Sequence, residues 1–168
     1  MKTRRRFVLA TILVVLALAL PSTALANKKV WLASISSANE VPPATGSSAQ
    51  GSASFGISYG GSSMFFSVQV RNLSGPVSGV HIHAPATTST TAPIIVSLCG
   101  NPGPAALATC TFADGTLTIQ GEITSSLLFN WGITPLQLMT YMDNGQAYIN
   151  VHTAAYPSGE ARGQIYPR

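Results

Sequence analysis

Between Met64 and Arg71 two residue sets alternate without a break: Met64, Phe66, Val68 and Val70 against Phe65, Ser67, Gln69 and Arg71. A period of two is that of a strand and not of a helix, so this stretch lies half buried on a sheet with the Met64 set facing inward. The same rhythm places Trp31, Ala33 and Ile35 on one face of 28–36, and Phe55, Ile57 and Tyr59 on one face of 53–59. Leu117, Ile119, Gly121 and Ile123 repeat it within 116–123. Turn-forming residues separate these runs: Gly60-Gly61-Ser62-Ser63, which makes the second and third a hairpin, then Asn72-Leu73-Ser74-Gly75-Pro76 and Asp114-Gly115. Short strands at regular turn spacing predict an all-β sandwich or barrel.

The remaining segments extend the pattern. A strand is predicted over 77–83, ended by Ala84-Pro85, then a threonine-serine loop from Thr87 to Thr91 and an apolar strand from Ile94 to Leu98. Thr134-Pro135-Leu136-Gln137 breaks the rhythm. A capping threonine, proline at the first helical position and glutamine three residues past the cap predict one short helix near the C-terminal end, stopping near Asn144-Gly145. Leu136, Met139 and Tyr141 or Met142 are expected to cover an open end of the sandwich. Two last strands follow, Ala147 to Thr153 and Glu160 to Tyr166; Glu160, Arg162, Gln164 and Tyr166 share a face of the second.

Residues 1–26 are read as a removable export peptide. Lys2, Arg4, Arg5 and Arg6 precede an uncharged apolar run from Phe7 to Leu20, and Ala24-Leu25-Ala26 is a small-x-small cleavage signal. Residues 27–168 then form one domain, expected to be secreted or periplasmic, with no membrane association after cleavage. Thr3-Arg4-Arg5-Arg6-Phe7 also fits a twin-arginine route, whereas the strongly apolar run fits the general secretory one. No cysteine follows the leader, which argues against a lipid anchor. The leader carries four of the nine basic residues, leaving five against five acidic ones. A neutral domain lacks the basic face that phosphate backbones require, so nucleic acid is not an expected partner. Cys99 and Cys110 are the only cysteines, and in an oxidising compartment an intrachain disulfide is the default. A metal-binding pair would be expected at CxxC spacing, which they lack.

The three histidines of the chain lie in two of the predicted strands. His81 and His83, at i and i+2, point to the same face, opposite Val80 and Ile82, and His152 sits in the similar alternation Tyr148-Ile149-Asn150-Val151-His152. Were these strands neighbours, about 4.8 Å apart, three imidazoles could reach one point and, with an open fourth position, hold zinc or copper. Glu160, returning beside His152, would be an acceptor that fixes its tautomer, and Asn39 and Glu40 would form a polar rim. The competing reading makes the histidines structural, hydrogen-bonded to Asn150, Glu160 or backbone. A His-x-His strand also resembles copper-zinc superoxide dismutase, but a linked metal pair there uses more histidines than three.

Other motifs carry less. Gly56-Ile57-Ser58-Tyr59-Gly60 fits GxSxG, yet falls in a hairpin and not in a strand-to-helix elbow. The five acidic residues are scattered, so no glycosidase pair is assigned. Asn72-Leu73-Ser74 is a sequon with meaning only in a eukaryotic secretory route. Tyr141, Tyr148, Tyr156 and Tyr166 could face a partner, although core and rim positions are commoner for tyrosine.

Five ordered motifs resemble one family: Ser37-Ala38-Asn39-Glu40-Val41-Pro42-Pro43, Leu73-Ser74-Gly75-Pro76, Val80-His81-Ile82-His83-Ala84-Pro85, Tyr148-Ile149-Asn150-Val151-His152-Thr153 and Pro157-Ser158-Gly159-Glu160-Ala161-Arg162-Gly163-Gln164. Over Val30 to Tyr166 the chain is similar to the CHRD domain, first described in chordin and frequent in exported microbial proteins. Cys99 to Cys110 and Ser125 to Trp131 lie outside the shared pattern. The resemblance implies an immunoglobulin-like Greek-key β-sandwich or barrel, and implies location more than activity. The expectation is therefore a non-enzymatic extracellular module that binds a protein or cell-surface component, with Asn39, Glu40, Asn150, Glu160 and Arg162 as its polar binding set. The alternative is a mononuclear zinc or copper protein using His81, His83 and His152.

Overall fold

In a computed structural model, which describes residues 29–58, 61, 63–100 and 107–168, the period-two segments become antiparallel strands of a single sheet. The strands are β1 (Val30–Ser36), β2 (Gln50–Ile57), β3 (Ser63–Arg71), β4 (Val77–His83), β5 (Ile94–Gly100), β6 (Phe112–Ala113), β7 (Thr116–Thr124), β8 (Ala147–Thr153) and β9 (Ala161–Pro167). Their order across the sheet is β5-β4-β8-β9-β1-β2-β3-β7-β6. The expected all-β sandwich is realised as one curled sheet whose two halves enclose a common core. The leader-like residues 1–26 lie outside the described residues, as do Tyr59, Gly60, Ser62 and most of the loop between the cysteines.

Burial follows the alternation. Trp31, Ala33 and Ile35 of β1, Phe55 of β2, Met64, Phe66, Val68 and Val70 of β3, and Leu117, Ile119 and Ile123 of β7 face the core; Val80, Ile82, Val96, Leu98, Ile149, Val151 and Ile165 meet them from the other half. Each large apolar side chain so enclosed contributes about 1.5–3 kcal/mol relative to exposure.

Two helices occupy the connection from β7 to β8, where one was expected. The additional one, α1 (Ser125–Asn130), is capped by Thr124, whose side chain accepts from the Leu127 amide, and it buries Leu127 and Leu128. Six residues are too few to display a helical period, so sequence pattern missed it. The expected helix is α2 (Pro135–Asp143), with the complete capping box between Thr134 and Gln137. Its inward residues are Leu138 and Met142, one helical turn apart, while Leu136 points outward and is 69% exposed. The covering face is thus rotated from the expected one, with Met139 and Tyr141 packed at its margin. Asp143 at the end of α2 accepts from the indole of buried Trp31 at 2.9 Å and pairs with Lys29 at 2.5 Å, tying the helix to β1.

The sheet's two edges are joined. Cys99 of edge strand β5 is disulfide-bonded to Cys110, just ahead of the opposite edge strand β6. Beside it the Ala108 amide donates to the Leu98 carbonyl at 3.0 Å, and Cys99 and Ala108 form an isolated parallel bridge. The predicted disulfide therefore closes the seam of the curled sheet.

Candidate metal centre

β4 and β8 are direct antiparallel neighbours, with His81 opposite Asn150, His83 opposite Tyr148 and Gly79 opposite His152. Because Val80, Ile82, Ile149 and Val151 fill the core, alternation sends His81, His83, Tyr148, Asn150 and His152 to the other side of the sheet. That side is largely covered: His81 and His83 are buried and His152 is half-buried. The ring centroids of His81 and His152 are 4.8 Å apart, and each lies 6.0 Å from that of His83. One ligating atom from each of the three comes within 4.8 Å of the other two. Two nitrogens on a tetrahedral zinc are about 3.4 Å apart, so side-chain rotations of the order of an ångström bring the set to bonding distance.

Two backbone carbonyls orient the rings. His83 Nδ1 lies 2.8 Å from the Ala92 carbonyl and His152 Nδ1 lies 3.1 Å from the Pro157 carbonyl. A carbonyl only accepts, so each Nδ1 carries the proton and each Nε2 keeps its lone pair. Both Nε2 atoms are buried and hydrogen-bond to nothing among the described residues. Burial lowers the His83 pKa to about 4, against the Ala92 carbonyl which raises it, with the charges of His152 and Arg162 lowering it further. Burial also lowers that of His152. Both rings are therefore neutral near pH 7, the form that ligates a metal.

The expected polar set divides by role. Arg162 is buried and donates to the carbonyls of Thr90 (2.8 Å) and Thr87 (2.6 Å) and to Gln164 Oε1 (3.2 Å). Its guanidinium stacks 3.5 Å from the centre of the Tyr148 ring, whose own partner across β4 is the His83 ring, parallel at 4.7 Å. Gln164 donates to the carbonyls of Ala86 and Gly145, at 2.8 and 2.7 Å. These bonds from β9 fasten the loop 84–93, and that loop supplies the carbonyl orienting His83. Arg162 thus positions a histidine through the backbone.

Glu160 does not hold the His152 tautomer; that acceptor is Pro157. The Glu160 carboxylate is fully buried and accepts from Thr153 Oγ1 (2.6 Å), Ser74 Oγ (2.7 Å), the Ser74 amide (2.8 Å) and Ser47 Oγ (2.8 Å). Burial pushes its pKa up, but these four bonds outweigh that and hold it below the usual value. Asn39 donates to the carbonyls of Ser34 (3.2 Å) and Arg162 (3.1 Å), pinning the 3-10 turn Ser37–Asn39 onto the sheet. Glu40 is buried beside Asn150, which donates to it at 3.5 Å, and burial raises its pKa to about 7 against the lowering charge of Arg162. Gly159, at φ +130°, lies over this pair: a Cβ there would be 2.6 Å from Asn150 Nδ2 and 2.9 Å from Glu40 Oε1.

Sequence reasoning missed Tyr148 as the ring between His83 and Arg162, and the two orienting carbonyls. Tyr148 shares the alternation of Asn150 and His152 and could have been found by it; a carbonyl leaves no mark in a side-chain pattern. The arrangement can present three neutral nitrogen donors to one ion.

No curated protein and no solved structure matches this chain. The family model described as CHRD domain matches residues 31–165, which run from Trp31 in β1 to Ile165 in β9 and include all three histidines. On that match the chain belongs to the CHRD domain family, which suggests an extracellular module.

Proposed function

We propose that this CHRD domain is an exported, non-enzymatic module that binds one transition-metal ion, zinc or copper, through His81, His83 and His152. The observation that carries the reading is the convergence of the three rings on one side of the β4–β8 pair, two of them held by carbonyls in the tautomer that leaves Nε2 buried, unshared and with its lone pair. A structural histidine uses both nitrogens for hydrogen bonds or exposes one to water; His83 and His152 do neither with Nε2. Three imidazole nitrogens suit zinc or copper better than calcium or magnesium, which prefer oxygen. Export rests on residues 1–26, and a protein or cell-surface partner remains part of the reading. Among the described residues, no helix is long and apolar enough to cross a membrane.

Metal analysis of the purified, refilled domain tests this. About one equivalent of zinc or copper should be retained after gel filtration and lost in the triple variant His81→Ala, His83→Ala, His152→Ala. A wild-type protein with native circular dichroism that takes up neither ion refutes the site.

A further inference from the structure

The electrostatics of the histidine cluster are set from β9 as well as from β4 and β8. On the face that carries the imidazoles, the register aligns His83, Tyr148 and Gln164 in one cross-strand row and His81, Asn150 and Arg162 in the next. Arg162 leans out of its row onto Tyr148, its guanidinium carbon 3.5 Å from the ring centroid, and Tyr148 lies parallel to His83 with centroids 4.7 Å apart. A fixed positive charge therefore stands no more than about 8 Å from the His83 ring. The carbonyls of Thr87 and Thr90 hold it there, and the charges that bear on His83, those of His152 and Arg162, both oppose a further positive charge on the ring. The two buried carboxyls offset this little: Glu160 is engaged by four donors from Ser47, Ser74 and Thr153, and burial keeps Glu40 partly protonated at neutral pH. Among the described residues the ligand group itself is three histidines, with no carboxylate or cysteine. Neutral imidazoles donate lone pairs and cancel no charge.

Resting on the metal reading above, we infer that the site selects its ion by charge: it takes copper(I) in preference to zinc(II), and Arg162 is the specificity-determining residue. Imidazole suits both metals, and both ions have a filled d shell, so charge and coordination number separate them. A divalent ion brings one more unit of positive charge beside a buried cation. At about 8 Å and an effective dielectric constant of about 20, that unit weakens binding by roughly thirtyfold. Zinc also takes a fourth donor, whereas copper(I) is satisfied by two or three. Arg162 acts on the ion at a distance, through its charge on the far side of Tyr148.

Competition titrations of the full-length, disulfide-intact protein at pH 7 test the inference, with bicinchoninate for copper(I) under ascorbate and a zinc-binding chromophore for zinc(II). Copper(I) should bind at about one equivalent and at least tenfold more tightly than zinc. Arg162→Gln removes the charge and should narrow the ratio of the two affinities by about tenfold. Arg162→Lys keeps the charge and loses the carbonyl fork, so it should preserve the ratio even where both affinities fall. A loosened loop weakens both ions together, and the ratio therefore separates charge from structure. Zinc held as tightly as copper(I), or a ratio in Arg162→Gln equal to that of the wild type, overturns the inference and leaves the metal site standing. Uptake of neither ion by the wild type removes the reading on which it rests, and the inference with it.

Discussion

His83 and Glu40 are buried with opposite consequences for acid stability. The His83 pKa falls from 6.5 to about 4 on folding, so the unfolded chain binds more protons between those values. Its neutral burial is fully compatible with the fold above pH 6.5, and stability is lost as pH falls toward 4, by at most about 3 kcal/mol. His152 acts in the same direction. Glu40 rises from 4.5 to about 7, so its contribution is complete below pH 4.5 and is lost as pH climbs through 7. In the wild type these slopes oppose one another between pH 4.5 and 6.5. Glu40→Gln should uncover the histidine slope, its urea midpoint rising from pH 4.5 to 6.5 in chelator-treated protein, whereas His83→Asn should shift the balance toward decline. Equal midpoint changes in both variants and the wild type would show that neither group titrates as its burial dictates. The histidine face was legible in the sequence because alternation is strictly local. The polar neighbours were legible as residues but not in their roles: nothing local reveals that Glu160 faces Ser47 and Ser74 while Pro157 faces His152.

Glu160 is where separate elements meet. One buried carboxylate holds Ser47 before β2, Ser74 between β3 and β4, and Thr153 at the end of β8. Glu160→Ala leaves these donors in a dry site without an acceptor and should cost about 3 kcal/mol or more, read as a lower thermal midpoint of the purified domain. A loss below about 1 kcal/mol would mean that water replaces the carboxylate there. Among the elements themselves, the long alternating strands and the capped α2 were readable, because each repeats its period or carries its cap within the segment. α1, the two-residue β6 and the rotation that buries Leu138 in place of Leu136 were not. Short elements hold no period, and the inward face of a helix end is chosen by what lies beneath it, here the end of the curled sheet and Trp31.

For the molecule as a whole, strand order was the least legible property, since β4 leaves β3 for the far half of the sheet and β8 and β9 are inserted later between β4 and β1. Such pairings are decided by packing across the core and not by neighbouring residues. The seam between β5 and the chain before β6 relies on Cys99–Cys110. Replacing both cysteines with serine should cost about 3 kcal/mol by the loop-entropy argument and leave two strand edges less firmly joined. The expected readouts are a lower urea midpoint and a shift toward larger species on gel filtration at high concentration; an unchanged midpoint would show that the Leu98–Ala108 contact suffices alone. The insertion of the final hairpin has its own outcome for a chain that emerges from a ribosome or a pore with its first residue leading. β8 and β9 follow the other described strands in the chain yet lie between β4 and β1, so until they insert, the two groups of strands before them meet only across the Cys99–Cys110 seam, and His152 joins His81 and His83 after the rest. Such a chain can neither close its sheet nor bring the three imidazoles together ahead of time; both come at once, when β8 and β9 slot in.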